Sequence, residues 1–228
     1  MKLLIEERRK EIGDAFSFIF KPEEPVTWQA GQYALYKVPH DNPDSRGEIR
    51  IFTISSPPFQ KKLMLTTHYL FEESSSFKKA LFAKKVGDEV ELVKIDGKFT
   101  INNDAQKLVF IAGGIGITPF HSILLELEKK KVQKDIILIY SNKDEEHIVF
   151  KDTLDNLARV YDTLNIKYIF SPQRADESLI KETVPDIKEH LFYISGPMRL
   201  VKAVEESLYQ LEVDKENIKK DYFPGLNE

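Results

Sequence analysis

The sequence predicts a two-domain chain: an N-terminal antiparallel β-barrel followed by a C-terminal α/β domain built on a parallel sheet. Three observations predict it. Apolar residues alternate with a period of two through the first hundred residues. Beyond them, short apolar runs alternate with helical patterns. A glycine-rich segment, Gly113-Gly114-Ile115-Gly116, joins the first of those runs to the first of those helices.

In the first half, residues 15–20, 33–38, 50–55, 63–68 and 89–94 read as strands, with Gly, Pro and Asp-Asn clusters between them. Phe16, Phe18 and Phe20 recur every second residue and are expected in the barrel core. Residues 77–84 read as one interrupting helix, with Ser75 or Ser76 as its N-cap. In the second half, residues 108–111, 136–140, 166–170 and 191–194 are short apolar runs of the kind buried in a parallel sheet. Helical patterns at 118–130, 149–161, 178–183 and 198–211 separate them, which implies right-handed crossovers. The turn-forming Asn102-Asn103-Asp104 marks the boundary and divides the chain into residues 1–103 and 104–228.

Composition narrows the function classes. The 228 residues are 42% hydrophobic and 31% charged, ordinary for a globular protein and unlike a disordered one. The net charge of −4 offers no basic excess for nucleic acid or an anionic membrane. Cysteine is absent, which excludes disulfides, cysteine-ligated iron–sulfur clusters and thiolate catalysis. Residues 1–10 do not form a signal peptide, and no apolar stretch approaches the ~20 residues that span a bilayer. A cytoplasmic location is therefore expected. The five histidines make no metal-ligand spacing, so no metal site is expected. No Gly-x-Ser-x-Gly elbow is present to anchor a hydrolase triad.

The segment Ile111-Ala112-Gly113-Gly114-Ile115-Gly116-Ile117-Thr118-Pro119 leaves a buried strand and opens a helix. Glycine removes the Cβ that would hold a ligand off the backbone, and Thr118 and Pro119 suit a helix start. Amide groups and the helix dipole at such a turn favour a pyrophosphate. Ser195-Gly196-Pro197 repeats the arrangement after a later strand, so the two turns can frame one crevice. Earlier in the chain, Arg50 offers a fork of donors suited to phosphate, with Phe52 on its face of the strand and Thr53 on the other.

Together these segments resemble the ferredoxin–NADP reductase family, the flavodoxin reductase-like flavoproteins. The likeness covers nearly the whole chain in the right order. Ala30-Gly31-Gln32-Tyr33 is similar to the family's AGQ(F/Y) strand, and Arg50-Ile51-Phe52-Thr53 to its Arg-x-Tyr-Ser/Thr flavin motif. Ser76, Gly97-Lys98-Phe99, the Gly113 loop, Ser195-Gly196-Pro197 and Asp221-Tyr222-Phe223-Pro224-Gly225-Leu226 each resemble a further family motif.

The resemblance implies a flavin-binding first domain and an NAD(P)-binding second domain, in a single-chain oxidoreductase without an iron–sulfur domain. Arg50, Ile51, Phe52 and Thr53 would line the flavin. Arg50 would bind a phosphate, Phe52 would lie against one ring face, and the Thr53 hydroxyl would sit near N5. Ser75 and Ser76 would add a second phosphate contact, which favours FAD over FMN. Thr67 and His68 would lie along the flavin. Gly113, Gly114, Gly116, Ile117 and Thr118 would hold the dinucleotide's pyrophosphate, with Ser195, Gly196 and Pro197 beside the nicotinamide. Phe223 would cover the other flavin face. Thr53, Ser195 and Phe223 would then be the catalytic set.

Three departures stand out: Ser195 replaces the family's cysteine, Leu226 its last tyrosine, and Phe52 a tyrosine. The implied function is hydride transfer from NAD(P)H to bound FAD. Electrons then pass to an external acceptor: a ferredoxin, a flavodoxin, a partner oxygenase or free flavin. The alternative is a flavin-binding electron-transfer subunit, or a redox-silent nucleotide-binding module, that needs a partner. For the coenzyme, Pro172 follows Ser171 where a donor is wanted, and Asp144, Glu145 and Glu146 bring negative charge, so the residues favour NADH.

Overall fold

The computed structural model describes residues 1–101 and 104–222. The first half contains β1 (Lys2–Lys10), β2 (Ala15–Pro22), β3 (Tyr33–Lys37), β4 (Ile49–Thr53), β5 (Leu63–His68) and β6 (Glu89–Asp96), with α1 (Ser76–Ala83) between β5 and β6. They form one six-stranded antiparallel sheet in the order β4-β3-β6-β1-β2-β5. The alternation read in the sequence is the physical reason: Phe18 and Phe20 of β2, Ala34 and Tyr36 of β3, and Phe77 and Leu81 of α1 are fully buried in one core.

Two points differ from expectation. The sheet is not shown closed into a barrel: β4 and β5 share no ladder among the described residues, and the Ser55 N–H donating to the Met64 carbonyl at 2.8 Å links their ends. Residues 2–10 form an interior strand that the sequence pattern did not reveal. Only Leu3 and Ile5 carry its buried face, and the charged run that follows masks the alternation.

The second half contains β7 (Lys107–Gly113), α2 (Thr118–Lys130), β8 (Asp135–Asn142), α3 (Lys151–Val160), β9 (Leu164–Phe170), α4 (Glu177–Thr183), β10 (Leu191–Gly196), α5 (Met198–Gln210) and β11 (Ile218–Tyr222). The strands form a parallel sheet in the order β11-β10-β7-β8-β9. Alternate residues of β7 serve opposite layers. Leu108 and Phe110 join a core with α2 and α3, while Val109 and Ile111 join one with α4 and α5. The chain reverses its direction of growth between β7 and β10, the place where such sheets open a crevice at their carboxyl ends. β11 was also missed, because its Ile-Lys-Lys-Asp-Tyr stretch carries a single buried residue.

The two sheets are locked through the turn after β4. The Ser122 Oγ donates to the Ser56 carbonyl at 2.7 Å, and the Trp28 indole N–H reaches the same oxygen at 3.2 Å. His121 Nδ1 lies 2.7 Å from the Ser55 carbonyl. Burial pushes the His121 pKa down to about 4, so the neutral ring makes this bond at physiological pH. No helix among the described residues is long and apolar enough to cross a membrane.

Candidate functional site

Strand β4 builds one wall of a cleft of about 650 Å³ between the two halves. Its pleat turns Ile51, 57% exposed, and Thr53 to one side. Arg50 and Phe52 turn to the other side and meet α1: the Arg50 guanidinium lies 5.7 Å from the Phe77 ring centre, and the Phe52 ring is also 5.7 Å from it. Phe52 borders the cleft but packs against Phe77 and Tyr36. Ile51 is therefore the apolar side chain freely presented on Thr53's face.

Thr67 and His68 of β5 form the facing wall, and the His68 Nδ1 is held 2.8 Å from Asp14 Oδ1. Ser75, not Ser76, is the N-cap of α1: its Oγ accepts from the Lys78 N–H at 3.3 Å, and it lines the cleft. Ser76 instead turns to the 44–47 loop, where its Oγ accepts from the Asp44 N–H at 2.9 Å. Lys78 was missed, since a lysine in a short helix ordinarily reads as solvated. It lines the cleft with its Nζ donating to the His68 carbonyl at 2.9 Å, and burial lowers its pKa. The only sequence signal was its position three residues after the cap, in the turn that faces the strand.

A second cleft of about 430 Å³ opens over the carboxyl ends of β7, β8 and β10. Gly113, Gly114 and Pro197 form its floor, and His68 and His147 border both clefts, so the two adjoin. Gly114 has φ +50° with nothing within 4 Å of the position a Cβ would take. That backbone is open to close approach by a ligand. Gly116 is different: it is buried, and a Cβ there would stand 2.2 Å from the Ser195 carbonyl oxygen. The two glycine turns are pressed together, with Gly116 and Ile117 beneath the surface and Ile115 and Thr118 facing the first cleft. Thr118 is the first residue of α2 rather than its cap, because a 3₁₀ turn over Gly114–Ile117 runs straight into the helix. Its hydroxyl donates back to the Ile115 carbonyl at 3.1 Å.

Parallel pairing sets Ser195 of β10 level with Asp221 of β11, and the Thr53 side chain is hydrogen-bonded to the Asp221 carboxyl. Thr53 and Ser195, selected from the sequence, thus both neighbour Asp221, a functional candidate that the sequence reading missed because it stood only as part of the closing motif. Ser195 is fully buried, and its Oγ has no hydrogen-bond partner among the described residues. Phe223 lies outside the described residues. Burial pushes the Asp221 carboxyl up to about 6. An acid with a raised folded-state pKa holds a proton that the unfolded chain releases, so its contribution favours folding at low pH and is lost as pH rises through about 6. Asp221→Asn is expected to flatten the pH dependence of the melting temperature between pH 4.5 and 7. It should stabilise the protein at pH 7 by about 2 kcal/mol after allowance for partial exposure. Parallel melting curves of variant and parent across that range would contradict the assignment.

Both clefts suit the ligands that the sequence resemblance implies. The first has the size of a cofactor pocket. It offers an apolar wall, a hydroxyl beside a titratable acid, and an arginine whose buried Nε is without a partner among the described residues. The second offers bare glycine backbone at a strand-to-helix turn.

The six-stranded antiparallel sheet beside the parallel five-stranded sheet defines the class of fold. The family model of the oxidoreductase NAD-binding domain matches residues 110–206. The chain is 25% identical to flavohemoprotein A of Dictyostelium discoideum, an alignment that covers 99% of this chain and 60% of that protein. It is also 25% identical to the reductase component 1 of terephthalate 1,2-dioxygenase from a Comamonas species, over 86% of this chain and 59% of that one. The chain thus spans about three fifths of the length of these curated relatives.

Among solved structures, the flavohem-like FAD/NAD-binding domain of nitric oxide dioxygenase from Vibrio cholerae superposes with a TM-score of 0.86 at 23% identity. That match covers 97% of this chain and 98% of the other. The ferredoxin–NADP⁺ reductase of Plasmodium falciparum superposes with a TM-score of 0.82 at 19% identity, over 97% and 95% of the two chains. The second half thus matches the oxidoreductase NAD-binding domain model, and as a whole the chain has the fold of these FAD/NAD-binding and ferredoxin–NADP⁺ reductase structures.

Proposed function

We propose that this chain is an NAD(P)H-dependent flavin oxidoreductase that takes hydride from the nicotinamide and passes electrons to an external acceptor. The observation that carries this reading is the Thr53 hydroxyl, bonded to the Asp221 carboxyl, on the wall of the first of two adjoining clefts, one suited to FAD and one to a nicotinamide dinucleotide. Bound flavin would supply the hydride-accepting atom and the capacity to part with electrons singly. The chain's own groups do the placing. Arg50 and Ser75 stand at the phosphate end of the first cleft, and Ile51 offers an apolar surface to the ring. Thr53 offers a hydroxyl whose partner, Asp221, can hold or release a proton near neutral pH. Gly113 and Gly114 present backbone to the pyrophosphate, with Pro197 beside them; Ser195, placed beside the nicotinamide by the sequence resemblance, is buried and lines neither cleft.

In this reading residues 1–103 hold the flavin and residues 104–228 the dinucleotide, and the protein acts in the cytoplasm. The acceptor is a ferredoxin, a flavodoxin, a partner oxygenase or free flavin. The relative named as the reductase component of a dioxygenase supports the partner oxygenase.

For the coenzyme we propose the reverse of the preference read from the sequence. Asp144, Glu145 and Glu146 do not line the second cleft; Asp144 accepts from the Glu146 N–H at 3.0 Å and caps its own turn. Lys143, Arg174 and Arg199 do line it, and no carboxylate joins them. Three cations favour the coenzyme with the extra phosphate, NADPH. Anaerobic mixing of the flavin-loaded protein with each coenzyme tests both statements. The flavin absorbance should bleach, with kcat/KM for NADPH at least tenfold above that for NADH, about 1.4 kcal/mol. A chain that takes up no flavin, or a bound flavin that neither coenzyme bleaches, would sink the function. A preference for NADH would return the coenzyme to the sequence reading.

A further inference from the structure

Arg50 and Ser76, two of the three residues that the resemblance assigns to the flavin phosphates, are both engaged by the same loop residue, Asp44. The Arg50 Nη2 donates to Asp44 Oδ1 at 2.5 Å, and the Ser76 Oγ accepts from the Asp44 N–H at 2.9 Å. Arg46, which also lines the first cleft, donates to the other carboxylate oxygen, Oδ2, at 3.1 Å. The Arg50 Nη1 is spent on its own loop, donating to the carbonyls of Arg46, Gly47 and Ile49 at 2.8–3.0 Å. Partial burial works against ionisation of Asp44, but the Arg46 and Arg50 guanidiniums hold its carboxyl well below the usual carboxylate range. It is therefore an anion at neutral and mildly acidic pH. The Arg50 side chain is 11% exposed and that of Asp44 29%, so water screens the pair only in part.

We propose that Asp44 is an internal competitor for the phosphate end of the flavin cleft, lowering the affinity for phosphorylated flavins relative to riboflavin. A phosphate entering that corner meets two arginines already half neutralised and a carboxylate a few ångströms behind them. It must displace the Asp44 carboxylate from Arg50 or bind beside a like charge. The riboflavin moiety, lying along Ile51, Thr53 and His68, feels neither effect. The chain is thereby suited to holding its flavin loosely enough to exchange it. This rests on the assignment of the first cleft to flavin.

The test compares the dissociation constants of FAD, FMN and riboflavin for the full chain and for Asp44→Asn, measured by equilibrium dialysis at low ionic strength. The amide keeps the size and the backbone bond to Ser76 but drops the charge. Expected is a tightening of about tenfold for FMN and FAD with riboflavin affinity unchanged, read as a rise in the phosphoflavin-to-riboflavin affinity ratio. The ratio remains a fair reading even if the substitution loosens the loop, since all three flavins share the ring site, and Asp44→Ser provides a second, smaller variant. An unchanged ratio would overturn the proposal. So would a fall in the ratio, which would make Asp44 a buttress that aims Arg50 at the phosphate. Failure of the parent chain to bind any of the three flavins would instead overturn the flavin assignment itself.

Discussion

Gly116→Ala is expected to cost about 3 kcal/mol of folding stability and to abolish productive dinucleotide binding. The added Cβ would stand 2.2 Å from the Ser195 carbonyl oxygen, 2.5 Å from its carbon and 2.7 Å from Gly196 Cα. All three are backbone atoms, so no rotamer change relieves the clash. The β10 turn must move away from β7, and with it Ser195 and the register that sets Asp221 beside it. Thermal melting and coenzyme titration of the variant check this. Gly114→Ala is the control. It has space for the methyl and pays only for a left-handed backbone, about 1 kcal/mol, so it should retain the fold while raising KM for the coenzyme. If the two variants melt alike, the interlocked glycine turns are not what holds the crevice together.

Arg50→Ala should weaken FAD binding by roughly ten- to a hundredfold, the worth of a charge-assisted hydrogen bond of about 1.5–3 kcal/mol. The removal also releases the loop that the Arg50 Nη1 clamps and leaves the Asp44 carboxylate without its closest cation. Arg50→Lys should therefore rescue only part of the affinity, because an ammonium cannot serve the loop carbonyls and a phosphate together. Fluorescence titration with FAD settles the matter. Full retention of affinity in the alanine variant would reduce Arg50 to a structural clamp.

Much of the fold was legible because each half has its own period. The β2 and β5 alternations and the β7 and β8 apolar runs are local signals, so those strands fall close to where the pattern places them. β1 and β11 were not legible, since a strand with one or two buried residues is defined by its neighbours rather than by its own pattern. Closure of the first sheet was likewise beyond local pattern, because it depends on how two distant edges meet.

The sequence by itself determined the pattern of two halves, the glycine turns and the residues worth examining: Arg50, Thr53, Gly114, Gly116 and Ser195. Those are chemical identities and short-range spacings, and they survive translation into three dimensions. Only the tertiary structure decided what these residues do to one another. It tied Arg50 and Ser76 to Asp44, set Ser195 and Asp221 side by side with Thr53 on the acid, and placed Lys143, Arg174 and Arg199 around one cleft while turning the acidic run away. The reason is physical. A side chain's ionisation and binding capacity depend on charges and buried surface within a few ångströms, and most of those neighbours lie tens of residues away along the chain.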